Sequence, residues 1–237
     1  MHLFIWVITY LIGFLFYIGG NILLEVFMFV NPIGGVCLET ERNILQSLNS
    51  HQQKARINVV PLANLQIVTD YLKRSNLDLH DLQLRNHIAN ITYQSLLDYK
   101  AASFQGKRRA REFLLNLQRH INKDHEKYSD ELVSIAAAEA KLDLKTFTED
   151  RQSKLVKDLC EADRQLASEL NVRRTPSTVL VDYRHNVDGD GVLIEGRVER
   201  DLFDQIVEDR LGCYQQTINQ KPFQQLLTKN HDHLRLL

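Results

Sequence analysis

Between Leu24 and Val30 the chain reads Leu-Glu-Val-Phe-Met-Phe-Val, apolar on both alternating sets apart from Glu25. That pattern predicts a strand buried on both faces. Asn31-Pro32 ends it, and a turn follows at Gly34-Gly35-Val36-Cys37. A helical pattern then begins near Cys37 and runs to Leu48, with Leu38, Ile44, Leu45 and Leu48 apolar. Glu39 and Glu41 sit near its start, where the helix dipole favours negative charge. Arg56–Pro61 reads as a second strand closed by its proline. Strand, helix and strand in this order form a β-α-β unit, so the two strands are expected to be parallel.

From residue 63 to 170 the pattern is helical, with Gly and Pro almost absent, in pieces at 80–100, 104–122, 130–141 and 143–170. Ser129 and Asp143 each stand where an N-cap is expected. The β pattern returns at Thr178–Asp182, directly after Arg173-Arg174-Thr175-Pro176. A turn at Asn186–Gly191 joins it to Val192–Glu195, which predicts a hairpin. Glu199–Arg210 is an amphipathic helix closed by Gly212, and a polar tail with a weak helical segment near Phe223–Leu227 completes the chain. The expected organisation is a β-rich domain made of 23–62 and 171–212, a helical domain inserted at 63–170, a tail at 213–237 and an apolar segment at 1–22.

That first segment has no Asp, Glu, Lys or Arg before Leu24. Its apolar run, Leu3–Ile18, is near the lower limit of about 17 residues for a membrane-spanning helix. It lacks the basic flank of a signal peptide or a positive-inside anchor. Three readings stay open: a membrane anchor, an extension that does not span, and a natural start near Leu23 or Leu24.

Composition adds mainly exclusions. With 44% apolar and 25% charged residues the chain has an ordinary globular make-up, and its net charge of −1 gives no general argument for nucleic acid. The three cysteines, Cys37, Cys160 and Cys213, are widely spaced and suit a reducing, cytoplasmic compartment. No Cys/His spacing matches a zinc site, and Asn186–Gly191 lacks the terminal glutamate of a calcium loop. Lys107-Arg108-Arg109-Ala110-Arg111 reads as a solvated helix face. No phosphate loop or dinucleotide fingerprint is present, and no cofactor or metal is expected.

The chemistry turns on one absent atom. The order β-α-β, helical insertion, β-β-α resembles the thioredoxin fold with the helical insertion of the DsbA group, an α/β class. The resemblance spans roughly residues 24–211. It is carried by FVNPIGGVC at 29–37, by the helical FTEDRQSKLVKDLCEADRQLASELNV at 147–172 and by RRTPSTVLV at 173–181. In that fold a Cys-x-x-Cys motif opens the first helix, where the dipole lowers the pKa of the leading sulfur. Here Gly34 takes the leading position and only Cys37 carries sulfur, whereas a dithiol cycle needs one sulfur to attack and one to resolve. Pro176 matches the cis proline that faces the active-site turn in the family. The resemblance therefore implies a degenerate turn, Gly34, Gly35, Val36 and Cys37, facing a loop with Thr175 and Pro176, and no catalytic residue. Cys37 has two readings, a redox-sensing or residual monothiol and a small buried helix residue left at the resolving position, of which the second is favoured.

Within the group the chain is similar to the SpxH-type ClpXP adaptor proteins of Gram-positive bacteria. That resemblance implies a non-catalytic adaptor that binds an Spx-like transcription regulator and promotes its degradation by the ClpXP protease. The alternative is a thiol-disulfide oxidoreductase or isomerase of the DsbA type, and Gly34 is the feature that separates the two.

Overall fold

The computed structural model describes residues 24–183, 190–208 and 234–236. The expectations for residues 1–22, for the turn residues 186–189, for the helix end at Gly212, for Cys213 and for Phe223–Leu227 lie outside them.

Strand β1 (Leu24–Val30) pairs in parallel with β2 (Ala55–Pro61), and the helix between them is α1 (Gly35–Ser50). On its other side β1 pairs antiparallel with β3 (Ser177–Asp182), so that Val26 lies between Ile57 and Leu180. β3 continues antiparallel to β4 (Asp190–Glu195), and β5 (Leu234–Leu236) adds antiparallel to β4. The sheet order is β2-β1-β3-β4-β5. β5 is a correction: the end of the chain, expected to be polar tail, contributes a strand.

The double apolar pattern of β1 has its cause in this central position. Leu24, Val26, Met28 and Val30 face one core, which also holds Ile44 of α1. Phe29 faces a second core with Val60, Ile67, Ala167 and Val179. Burying a side chain of this size contributes about 1.5–3 kcal/mol, so both faces of β1 hold layers of the fold together.

Seven further helices are described: α2 (Leu65–Arg74), α3 (Leu82–Ser103), α4 (Lys107–Asn122), α5 (Asp130–Glu139), α6 (Leu144–Arg151), α7 (Lys154–Glu169) and α8 (Arg200–Val207). Ser129 and Asp143 cap α5 and α6, their side chains accepting from Leu132 N and Thr146 N at 3.1 and 2.8 Å. The stretch 143–170 is not one helix. Ser153 accepts from Val156 N at 3.2 Å and starts α7 afresh, as a short polar side chain does when it outcompetes the helical ladder. α2, which had no segment of its own in the sequence pattern, is started the same way by Asn64, whose Oδ1 takes Ile67 N at 2.8 Å. α4 begins at Lys107 rather than 104, because Gly106 stands at φ 111° and breaks the chain from α3.

The helices between β2 and β3 share the first core with the sheet. Leu97 of α3, Phe113 of α4, Val133 of α5 and Phe147 of α6 all belong to it, and so does Phe203 of α8. Buried Asp98 staples this layer: Arg151 Nε donates to it at 2.6 Å and Tyr128 Oη at 2.5 Å, while Arg151 also reaches Asp130 at 2.8 Å. Among the described residues no helix is long and apolar enough to cross a membrane.

Candidate functional site

The turn after β1 is built from Asn31. Its carbonyl accepts from Gly34 N at 2.9 Å and its Oδ1 from Ile33 N at 3.1 Å, folding the chain back into α1. Its own N–H donates to the Sγ of Cys37 at 3.3 Å. Gly34 is the N-cap of α1 and supplies no side-chain cap, so the first-turn N–H groups gain no side-chain acceptor from it. Gly35 is required by what stands above it. A β-carbon there would lie 2.8 Å from Oδ1 of Asn122, the last residue of α4, which donates from Nδ2 to Ile33 O at 3.2 Å and to Gln118 O at 2.8 Å.

The loop before β3 closes the other side. The Thr175–Pro176 bond is cis, and Thr175 lines the same pocket as Cys37. Pro176 turns its carbonyl toward the hairpin, where it accepts from Gly196 N at 2.8 Å. α2 holds this loop along its length. Asn64 Nδ2 donates to Arg173 O at 3.3 Å, Asp70 lies 3.7 Å from Arg174, and Arg74 Nη1 donates to Thr175 O at 2.8 Å.

These segments enclose a pocket of about 230 Å³. Gly34, Gly35, Val36, Cys37 and Thr175, singled out from the sequence, all line it; Pro176 follows directly but does not. Arg74, Tyr71, Asn122 and Lys123 line it too, and the sequence pattern gave no reason to choose them. Glu39 is its one lining carboxylate; it is engaged by Arg197 at 2.7 Å and lies 3.9 Å from Lys123.

Cys37 is 1% exposed. Burial pushes its thiol up to about 12, against the smaller opposing pull of the Asn31 N–H; Glu41 adds to the rise, and Arg74 and Thr175 oppose it. At neutral pH the sulfur is a neutral thiol, and the thiolate is the form that attacks disulfides. One turn along α1, Glu41 is wholly buried, which corrects its reading as a dipole-favoured acid near a helix start. Burial raises its carboxyl to about 8, opposed by the hydrogen bond from Gln118 Nε2 at 2.9 Å and by the charge of Arg111. Glu41 Oε2 and Gln118 Oε1 have no hydrogen-bond partner. The same Gln118 amide lies 3.4 Å from Asn31 O, which ties the buried acid to the turn.

Two other groups were open to a chemical role. Cys160 is buried on α7, and burial raises its thiol to about 11. His120, Asp124 and Glu126 bring ligand atoms close enough for a metal ion, but they are matched internally: His120 Nδ1 lies 2.9 Å from Glu126, and Arg119 donates to Asp124 at 2.7 Å.

The chain has relatives among characterised proteins. The ClpXP adapter protein SpxH of Staphylococcus saprophyticus is 24% identical over 189 residues, 80% of this chain and 66% of the relative, so just under two thirds of that protein's length is spanned. The ClpXP adapter protein SpxH of Bacillus subtilis is 23% identical over 205 residues, 80% of this chain and 68% of the relative. Among solved structures, the cytosolic disulfide reductase DsbM of Pseudomonas aeruginosa is similar in fold at a TM-score of 0.56, with 15% identity over 79% of this chain and 98% of that one. The family model described as Thioredoxin matches residues 27–205. That match runs from the middle of β1 to the middle of α8 and takes in both walls of the pocket, and the chain accordingly belongs to the thioredoxin family.

Proposed function

We propose that this chain is a non-catalytic adaptor of the cytoplasm, which binds an Spx-like transcription regulator and promotes its degradation by the ClpXP protease. Its docking site is the pocket lined by Gly34–Cys37 and Thr175, beside Pro176, and the helices of 63–170 add a second surface. The observation that carries the reading is the state of the turn. Position 34 has no sulfur, and the remaining thiol at Cys37 is buried and held neutral. An oxidoreductase loses its nucleophile by that change, whereas a surface that only grips a partner loses nothing. The relatives named ClpXP adapter protein SpxH support the same role.

The competing reading is a thiol-disulfide oxidoreductase working through Cys37 alone. Binding separates the two. The adaptor is expected to capture the purified regulator equally with and without reductant, and equally as Cys37→Ser. Capture that depends on Cys37, or that is trapped as a mixed disulfide, favours the enzyme; no capture under any condition removes the adaptor.

A further inference from the structure

Arg74 is the last residue of α2; it lines the pocket and donates to the carbonyl of Thr175, 2.8 Å away. A main-chain carbonyl of a pocket-lining residue is a natural acceptor for the N–H groups of an extended ligand. Here the chain fills that acceptor with its own side chain, and Asn64 does the same for Arg173 at the other end of α2. The arginine has not found a charge partner in doing so. Among the described residues no carboxylate lies within ion-pair distance of Arg74. Glu39, the one acid lining the pocket, is held by Arg197 at 2.7 Å and shared with Lys123 at 3.9 Å. The rim thus presents two cations, Arg74 and Lys123, against one carboxylate that is already engaged.

We propose that Arg74 is a self-ligand that selects for acidic partners: an extended segment enters the pocket by taking the Thr175 carbonyl and giving the displaced guanidinium an Asp or Glu carboxylate. The inference rests on reading this pocket as the docking site. A neutral segment that displaced the exposed Arg74 would leave its guanidinium to water alone, so discrimination follows from the ion pair that only an acidic segment supplies. Arginine suits the exchange because its fork can bind a carboxylate bidentately, with charge-assisted bonds stronger than its bond to a neutral carbonyl. Asn64, Asp70 and Arg174 keep the loop in place while Arg74 swings, so the pocket need not come apart when it is occupied.

The test is a titration with peptides. Random dodecamers are panned on the full chain, and the tightest binder is resynthesised with every Asp and Glu replaced by Asn and Gln. Fluorescence anisotropy is expected to show the acidic peptide binding about tenfold more tightly than its neutral counterpart, one charge-assisted contact's worth. In Arg74→Gln the ratio is expected to fall to near one, with the neutral peptide bound no more weakly than by wild type. Absence of any peptide binding, absence of acidic preference in wild type, or a ratio unchanged in Arg74→Gln overturns the proposal. Equal loss of both peptides in the variant overturns it too, since a residue that merely held the loop would behave that way. Should the variant not fold, the Arg74 Nε–H resonance of the wild type decides: it shifts as the acidic peptide saturates the pocket, and a resonance unmoved at saturation refutes the exchange. Neither regulator nor protease enters this titration. A failure here leaves the adaptor reading standing, and an unchanged regulator half-life in the protease assay leaves this inference standing.

Discussion

A β-carbon placed on Gly34 would stand 3.2 Å from the Sγ of Cys37. In a disulfide the β-carbon of one cysteine lies about 3 Å from the sulfur of the other, given an S–S bond of about 2.04 Å. The turn therefore keeps the spacing of a dithiol from which one sulfur has been removed. Gly34 also sits at φ −88° and ψ 122°, extended backbone open to any L residue. We expect Gly34→Cys to form an intramolecular disulfide with Cys37 under mild oxidation, read as a loss of two hydrogens by intact mass. The wild type is expected to reduce insulin no faster than a free-thiol control. Wild-type turnover that vanishes in Cys37→Ser would show that the lone sulfur works, and a variant that stays reduced would mean the turn is not spaced as described.

The close approach of Asn122 to Gly35 predicts an overpacking penalty. Gly35→Ala places its β-carbon 2.8 Å from Asn122 Oδ1, so the Asn122 amide must shift and strain its bonds to Ile33 and Gln118. The cost is expected at about 1–3 kcal/mol, measured by urea unfolding. Adding Asn122→Ala should make Gly35→Ala nearly neutral, because the clashing group is gone. Additive losses in the double variant would place the strain elsewhere.

Glu41 gives a pH dependence with a definite sign. Its carboxyl titrates near 8 in the folded chain and near 4.5 when unfolded. Between those values the unfolded chain releases a proton that the folded chain keeps, so this residue makes stability fall as pH rises from about 4.5 to about 8. Above that window the folded chain must bury the charge, and the loss is complete. Glu41→Gln removes the proton exchange and retains a group that can donate where Glu41 Oε2 and Gln118 Oε1 have no partner. The variant is expected to have a flatter stability profile and to exceed wild type at alkaline pH by a few kcal/mol at the order-of-magnitude level. Unfolding midpoints from pH 5 to 9 check this, and equal slopes in the two proteins would contradict it.

What could be read from the sequence was local. The run Leu24–Val30 announces a central strand because both of its faces are buried, and Asn31-Pro32 ends it because proline cannot carry the ladder onward. Gly34 and Cys37 are informative for the same reason: their spacing is a short-range fact. The rest of the pocket is long-range. Arg74 meets Thr175 across 101 residues and Gln118 meets Asn31 across 87, and no periodicity records such meetings. The breaks that start α2 and α7 were hidden because single Asn and Ser caps end the pattern without a glycine or proline. Glu41 was misread despite a usable signal: it lies four residues after Cys37, on the same helix face, and that face is the buried one.

An adaptor acts on its partner's lifetime, and degradation by purified ClpXP measures that lifetime directly. The half-life of an Spx-like regulator is followed with and without a saturating amount of this chain, in parallel with Cys37→Ser. The half-life is expected to be several-fold shorter in the presence of either protein, with no dependence on reductant. A half-life unchanged by the chain, or shortened only when Cys37 is present, would contradict it.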